Sequence, residues 1–166
     1  MREIPLSVYA DWPNPNYSNP VTRGDALLIV NIIFIILVTL SVIVRLYSRV
    51  MVKCQSGMDD VMIILAYICT VGLTITVLLA NRKYGWDRHI WDLPPSMIQQ
   101  TSIVAFVAKL LFALASGFIR LSLIFLYYRL IRDTNARWYA YALHFNMALN
   151  VAIIVLFVLL CVFLCM

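Results

Sequence analysis

Four stretches of this chain carry too much apolar bulk and too little charge to fold in water. Ala26 to Val44 contains no charged side chain, and neither does Val61 to Asn81. A third stretch, Pro94 to Tyr128, is interrupted only by Lys109 and Arg120, and a fourth runs from Trp138 to Met166. A helix rises about 1.5 Å per residue, so about 20 residues cross a hydrocarbon core about 30 Å thick. Each stretch is long enough, and lipid admits only structures that satisfy their own backbone. A β-barrel would alternate apolar and polar residues in short segments, which these stretches do not do. Composition agrees: 63% of residues are hydrophobic and 13% charged, against about a half and a quarter in soluble domains. The fold class expected is all-α, a polytopic transmembrane helix bundle. Its four predicted spans cover about 26–45, 60–81, 100–128 and 138–163 of the chain.

The first 24 residues form a different region. Pro5, Pro13, Pro15 and Pro20, with Asn14, Asn16 and Asn19, oppose a regular helix. No apolar core of a cleavable signal precedes the first span, which is expected to act as its own signal. Asn16-Tyr17-Ser18 fits the N-glycosylation pattern but lies close to that span. The domain reading is therefore a non-helical tail, 1–24, and a membrane bundle, 25–166. The last span ends in Phe163-Leu164-Cys165-Met166 without a polar flank, which favours a truncated chain over a complete four-span protein.

Lysine and arginine in the short loops set orientation. Arg45, Arg49, Lys53, Arg129, Arg132 and Arg137 fall on one side; Arg2, Arg23, Arg82, Lys83 and Arg88 fall on the other. The balance is close, but the first set directly abuts its helices. That favours an N-terminus outside the membrane, and four crossings return the C-terminus to the same side. The net charge of +5 belongs to these flanks, so no nucleic-acid partner is expected. Trp86, Trp91, Trp138, Tyr139 and Tyr141 stand near the span ends, where aromatic belts form. Cys69, Cys161 and Cys165 lie in apolar helices; Cys54 is juxtamembrane and open to acylation. They suggest neither a disulfide framework nor a metal site.

Polar residues inside the membrane are costly and need an explanation. Lys109 and Arg120 are three helical turns apart, about 16 Å along one face. Their stems either snorkel to opposite interfaces or face a polar cavity holding a ligand or counter-ion. Asp59 and Asp60 open the second helix, where carboxylates suit the free N–H groups and the dipole. Arg45, Arg49, Arg120 and Arg129 are expected at the same membrane face, so an ion-pair scaffold is the simpler reading. Catalysis or a divalent metal would need further acids, and only Asp133 is near. Asn146 and Asn150 share a face of the fourth helix near His144, and Ala113 and Gly117 give the third helix a small-residue face for close packing. His89 is the other histidine, in a loop.

Several motifs occur in a fixed order. Arg45-Leu46-Tyr47-Ser48-Arg49 ends the first span and Gly57-Met58-Asp59-Asp60 opens the second. Tyr84-Gly85 leads into Arg88-His89-Ile90-Trp91-Asp92-Leu93; Arg120-Leu121-Ser122 and Tyr127-Tyr128-Arg129 close the third span. Together, over roughly residues 25 to 130, they resemble the fungal rhodopsin-domain integral membrane proteins, seven-helix and receptor-like. The resemblance marks Arg45, Tyr47, Arg49, Gly57, Asp59, Asp60, Tyr84, Gly85, Arg88, His89, Asp92, Arg120, Ser122, Tyr128 and Arg129 as family-motif positions. Three departures stand out. Asp87 occupies the second glycine of the family's Tyr-Gly-x-Gly-Arg-His loop. Lys109 stands where an acid or amide is common, and Arg120 where lysine is usual. The retinal-binding lysine of true rhodopsins belongs to a seventh helix, so the resemblance implies no retinal and no other cofactor.

The resemblance implies a receptor-like, non-enzymatic protein of the plasma membrane. Its partners would be the bilayer, an unidentified small-molecule ligand, and a signalling protein or helix partner. Two alternatives differ in class. One is a membrane-embedded enzyme of a secondary-metabolite pathway, such as a cyclase, with Asp59, Asp60 or His89 as acid. The other is a channel or transporter subunit with Lys109 and Arg120 along an anion path.

Overall fold

The computed structural model describes Pro13, Asn16, Thr22 and residues 24–52, 57–131 and 137–165. Most of the tail lies outside the described residues, as do Arg23, Lys53, Cys54, Arg132, Asp133 and Met166. The described chain is all helical between its turns. Helix α1 spans Ala26–Tyr47 and continues into a π-helical turn, Ser48–Val52. Helix α2 spans Met58–Lys83, a 3-10 turn covers Ile90–Asp92, α3 spans Pro95–Ile131 and α4 spans Arg137–Cys165. All four helices are long and apolar enough to cross a membrane. Each extends beyond its predicted span, α3 most of all, by residues 95–99 at one end and 129–131 at the other.

The packing order is that of a membrane bundle. Helix α3 is central, pairing extensively with α2 and less so with α4, while α1 rests lightly on α2. No residue of α1 is buried. The buried apolar residues are mostly small: Ala66 and Ala80 of α2, and Ala108, Ala113 and Ala115 of α3. The large ones, such as Phe34, Ile68, Phe145 and Phe163, point outward. Lipid tails are as apolar as leucine, so burial gives helices no reason to associate; close backbone approach does, and small residues permit it. At Gly117, an added Cβ would run into Ile154 Cδ1 of α4, and at Gly72 one would touch Leu111 of α3. Hydroxyls within the spans are satisfied locally: Thr70, Thr74 and Thr76 donate to carbonyls one turn back. One hydroxyl pair crosses between helices, Thr39 of α1 and Tyr67 of α2 at 2.9 Å.

Two side-chain clasps fix the axial register of α2 against α3. At one end Ser122 Oγ donates to the Asp59 carbonyl at 2.9 Å. At the other, Thr101 Oγ1 donates to the Tyr84 carbonyl at 3.1 Å. The stretch of α3 between them rises about 31 Å, the thickness of a hydrocarbon core. The clasps are therefore spaced as the two boundaries of a hydrocarbon core would be. Residues beyond Ser122 project past one of them, which accounts for the length of α3.

Candidate functional site

The densest polar cluster forms where α1, α2 and α3 meet at the Ser122 boundary. Arg45 and Arg49 are four residues apart and so project from one side of the first helix and its π turn. Both reach Asp59 in the first turn of α2: Arg49 Nη2 lies 3.0 Å from Asp59 Oδ2, and Arg45 Nη2 lies 3.8 Å from the same atom. Arg45 Nη2 also donates to Ser122 Oγ at 3.1 Å. Ser122 is fully buried and Asp59 is 3% exposed. The serine hydroxyl thus accepts from α1 and donates to α2 while belonging to α3. Asp60 serves locally: the Gly57 N–H donates to its Oδ2 at 3.2 Å, closing the first turn of α2. Its Oδ1 is buried without a hydrogen-bond partner. Arg129 comes close to Gly57, whose added Cβ would lie 3.8 Å from Arg129 Nη1.

The remaining motif residues divide among other places. Tyr47 is exposed and Tyr128 bonds His144 of α4, its Oη 2.9 Å from Nε2, with the rings edge to face. Arg120 faces away from Asp59, into a cleft between α3 and α4. Lys109 is exposed on α3, well inside the boundaries, and does not line that cleft. In that cleft Asn150 Nδ2 donates to the Gly117 carbonyl at 3.2 Å; Asn146, one turn away, is exposed.

The Thr101 boundary carries the second group of motif residues. Gly85 follows α2 with φ of 72°, a conformation that suits glycine. An added Cβ there would lie 2.5 Å from Leu93 Cδ1. Arg88 Nε reaches Asp87 Oδ1 at 3.4 Å, so the acid that replaces the family glycine pairs with its neighbour. His89 stacks on Trp91, ring centroids 4.5 Å apart. Asp92 is buried; its backbone N–H donates to the His89 carbonyl, and its Oδ1 accepts the Asn16 N–H at 2.9 Å. Arg82 pairs with Asp25 at 2.7 Å on the surface. These bonds bring Asn16, Asp25 and the α2–α3 loop to one end of the bundle. Asn16 is exposed there.

Sequence names most of these residues singly but does not show how they pair. Thr39, Tyr67 and Thr101 carry no motif; the first two lie among apolar residues and Thr101 beside Gln99, Gln100 and Ser102. The Asn150–Gly117 bond joins two residues that sequence singles out for separate reasons. Among the described residues no group of three or more His, Cys, Asp or Glu is placed to hold a metal ion. The arrangement is suited to holding three helices at a fixed angle.

Comparison with known proteins bears on the whole bundle. Neither curated proteins nor solved structures give a match. The fungal rhodopsin domain matches residues 44–166. That range takes in the Asp59 cluster, the α2–α3 loop, α3 and all of α4, and leaves out most of α1. Helix α4 thus falls within the family's domain although it carries none of the motifs quoted above. With the match covering well over half of its length, the chain belongs to the fungal rhodopsin-domain family of integral membrane proteins.

Proposed function

We propose that this chain is a receptor-like membrane protein without enzymatic activity, placed in the plasma membrane with its N-terminus outside. One observation carries the reading. The Asp59 carboxylate, the acid best buried at a membrane boundary, is committed to Arg45 and Arg49, and the three helices it joins converge on Ser122. A buried ion pair of this kind is weak evidence for stability but well suited to fixing one arrangement of helices. A receptor needs such an arrangement, because a ligand acts only by favouring one helix packing over another. With the N-terminus outside, the cluster faces the cytoplasm, where a signalling protein would read it. The test is a reporter response in cells carrying the intact, surface-exposed chain and exposed to candidate lipophilic ligands. A well-folded surface protein that never responds would count against the reading.

The enzyme alternative retains one supporting observation, the buried and unpartnered Asp60 Oδ1. A buried carboxyl oxygen without a donor is where a substrate proton would be exchanged. Metabolite profiles that are unchanged by Asp60→Asn in a folded protein would remove that role.

A further inference from the structure

A cleft of about 190 Å³ opens between α3 and α4, and its lining is graded along the membrane normal. Arg120 lies nearest the Ser122 boundary, within a turn of it. Ser116 and Asn150 come next, about one turn deeper. Beyond them the walls are Phe112, Ile153 and Phe157. Among the described residues Arg120 makes no ion pair or hydrogen bond, and its side chain is exposed. Asn150 is 3% exposed; its Nδ2 is held by the Gly117 carbonyl, while its Oδ1 is buried and has no partner.

A cation in a thin polar layer calls for an anion. A buried amide oxygen left without a donor costs free energy that a ligand hydroxyl would recover. The apolar floor calls for a hydrocarbon. The three requirements are stacked in one order, with about 4 to 5 Å of helix rise between Arg120 and the Asn150 level. We propose that this cleft binds an amphiphile whose anionic oxygens meet Arg120, whose hydroxyl a few atoms further on donates to Asn150 Oδ1, and whose chain runs over Phe112, Ile153 and Phe157. A free 3-hydroxy fatty acid has this order, and so does a bilayer sphingolipid phosphate, whose backbone hydroxyl lies between the phosphate and the chain. The inference deepens the receptor-like reading, since it names the ligand class. Binding is measured on the purified chain, so its failure and a failure of signalling are read separately.

The test uses the full chain in phosphatidylcholine discs with labelled 3-hydroxymyristate as probe. Saturable binding is expected, with myristate and 1,3-tetradecanediol each about tenfold weaker or worse, because one lacks the donor and the other the charge. Asn150 is left intact, since its Nδ2 also holds α4; the comparison between ligands reads its Oδ1. Arg120→Gln is expected to weaken binding about tenfold. Ile153→Trp fills the cleft without touching a polar group and is expected to abolish binding with helicity and monodispersity unchanged. Discs enriched in ceramide 1-phosphate separate the sources: displacement of the probe assigns the bilayer lipid, and no displacement assigns the free acid. Unchanged affinity in a folded Ile153→Trp chain overturns the proposal. So does equal binding of myristate and 3-hydroxymyristate, or unsaturable probe binding with no preference for ceramide 1-phosphate.

Discussion

Arg49 and Asp59 face each other across the gap between the first two helices, Nη2 to Oδ2 at 3.0 Å. Only 4% of the Asp59 side chain and 14% of the Arg49 side chain are exposed. At a membrane boundary this contact joins elements that otherwise barely touch, for α1 buries none of its residues. Much of what fixes α1 in the bundle is therefore polar.

Removing the shared acid is expected to cost more than removing either base. Asp59→Ala strands two guanidiniums, whereas Arg49→Ala leaves Arg45 beside the carboxylate. Losses of about 3 kcal/mol and about 1 to 2 kcal/mol are expected, following the penalty for an uncompensated buried charge. Thermal unfolding in mild detergent measures both, and equal losses would contradict the shared pairing.

Ser122→Ala removes a donor to the Asp59 carbonyl and an acceptor for Arg45 in one step. A loss of about 1 to 3 kcal/mol is expected from the two hydrogen bonds lost together. Thr101→Ala, at the more exposed clasp, is expected to lose less than half as much in the same unfolding assay.

Gly117→Ala is expected to push α4 away from α3, because the new methyl meets Ile154. A cost of about 1 to 3 kcal/mol is typical of such overpacking. Adding Ile154→Ala should recover most of it, since the two side chains compete for one space. Cross-linking yield between α3 and α4 cysteine pairs reports the same separation.

Tyr67→Phe deletes the phenol that meets Thr39 between α1 and α2. Interhelical hydrogen bonds in membranes contribute about 0.6 kcal/mol on average. The effect should be small, measurable only in a stability assay, and absent when Thr39→Val is already present.

The spans are legible because lipid imposes a length and a composition on any segment that crosses it, and Ala26 to Val44 satisfies both without reference to the rest of the chain. The charged ends are legible in kind: Asp59 beside free arginines reads as an ion-pair site before any contact is known. Partners are less so. Arg120 lies at the membrane face of Ser122 and Asp59, where sequence puts it, yet two residues are about 200° of rotation, so its side chain turns toward α4 rather than toward Asp59. Pairings such as Thr101 with Tyr84, or Asn150 with Gly117, depend on how far one helix slides along another. Periodicity fixes a face and says nothing of that slide. The π turn after Tyr47, which carries Arg49, leaves no mark in residue type.

The three-helix clamp is tested most directly by a double-mutant cycle on Arg49 and Asp59, read as unfolding free energy of the full chain in bilayer discs. A coupling energy above about 1 kcal/mol is expected for two buried, mutually paired charges. Single-mutant effects that add within about 0.3 kcal/mol would mean the two residues act independently, and the clamp would not exist.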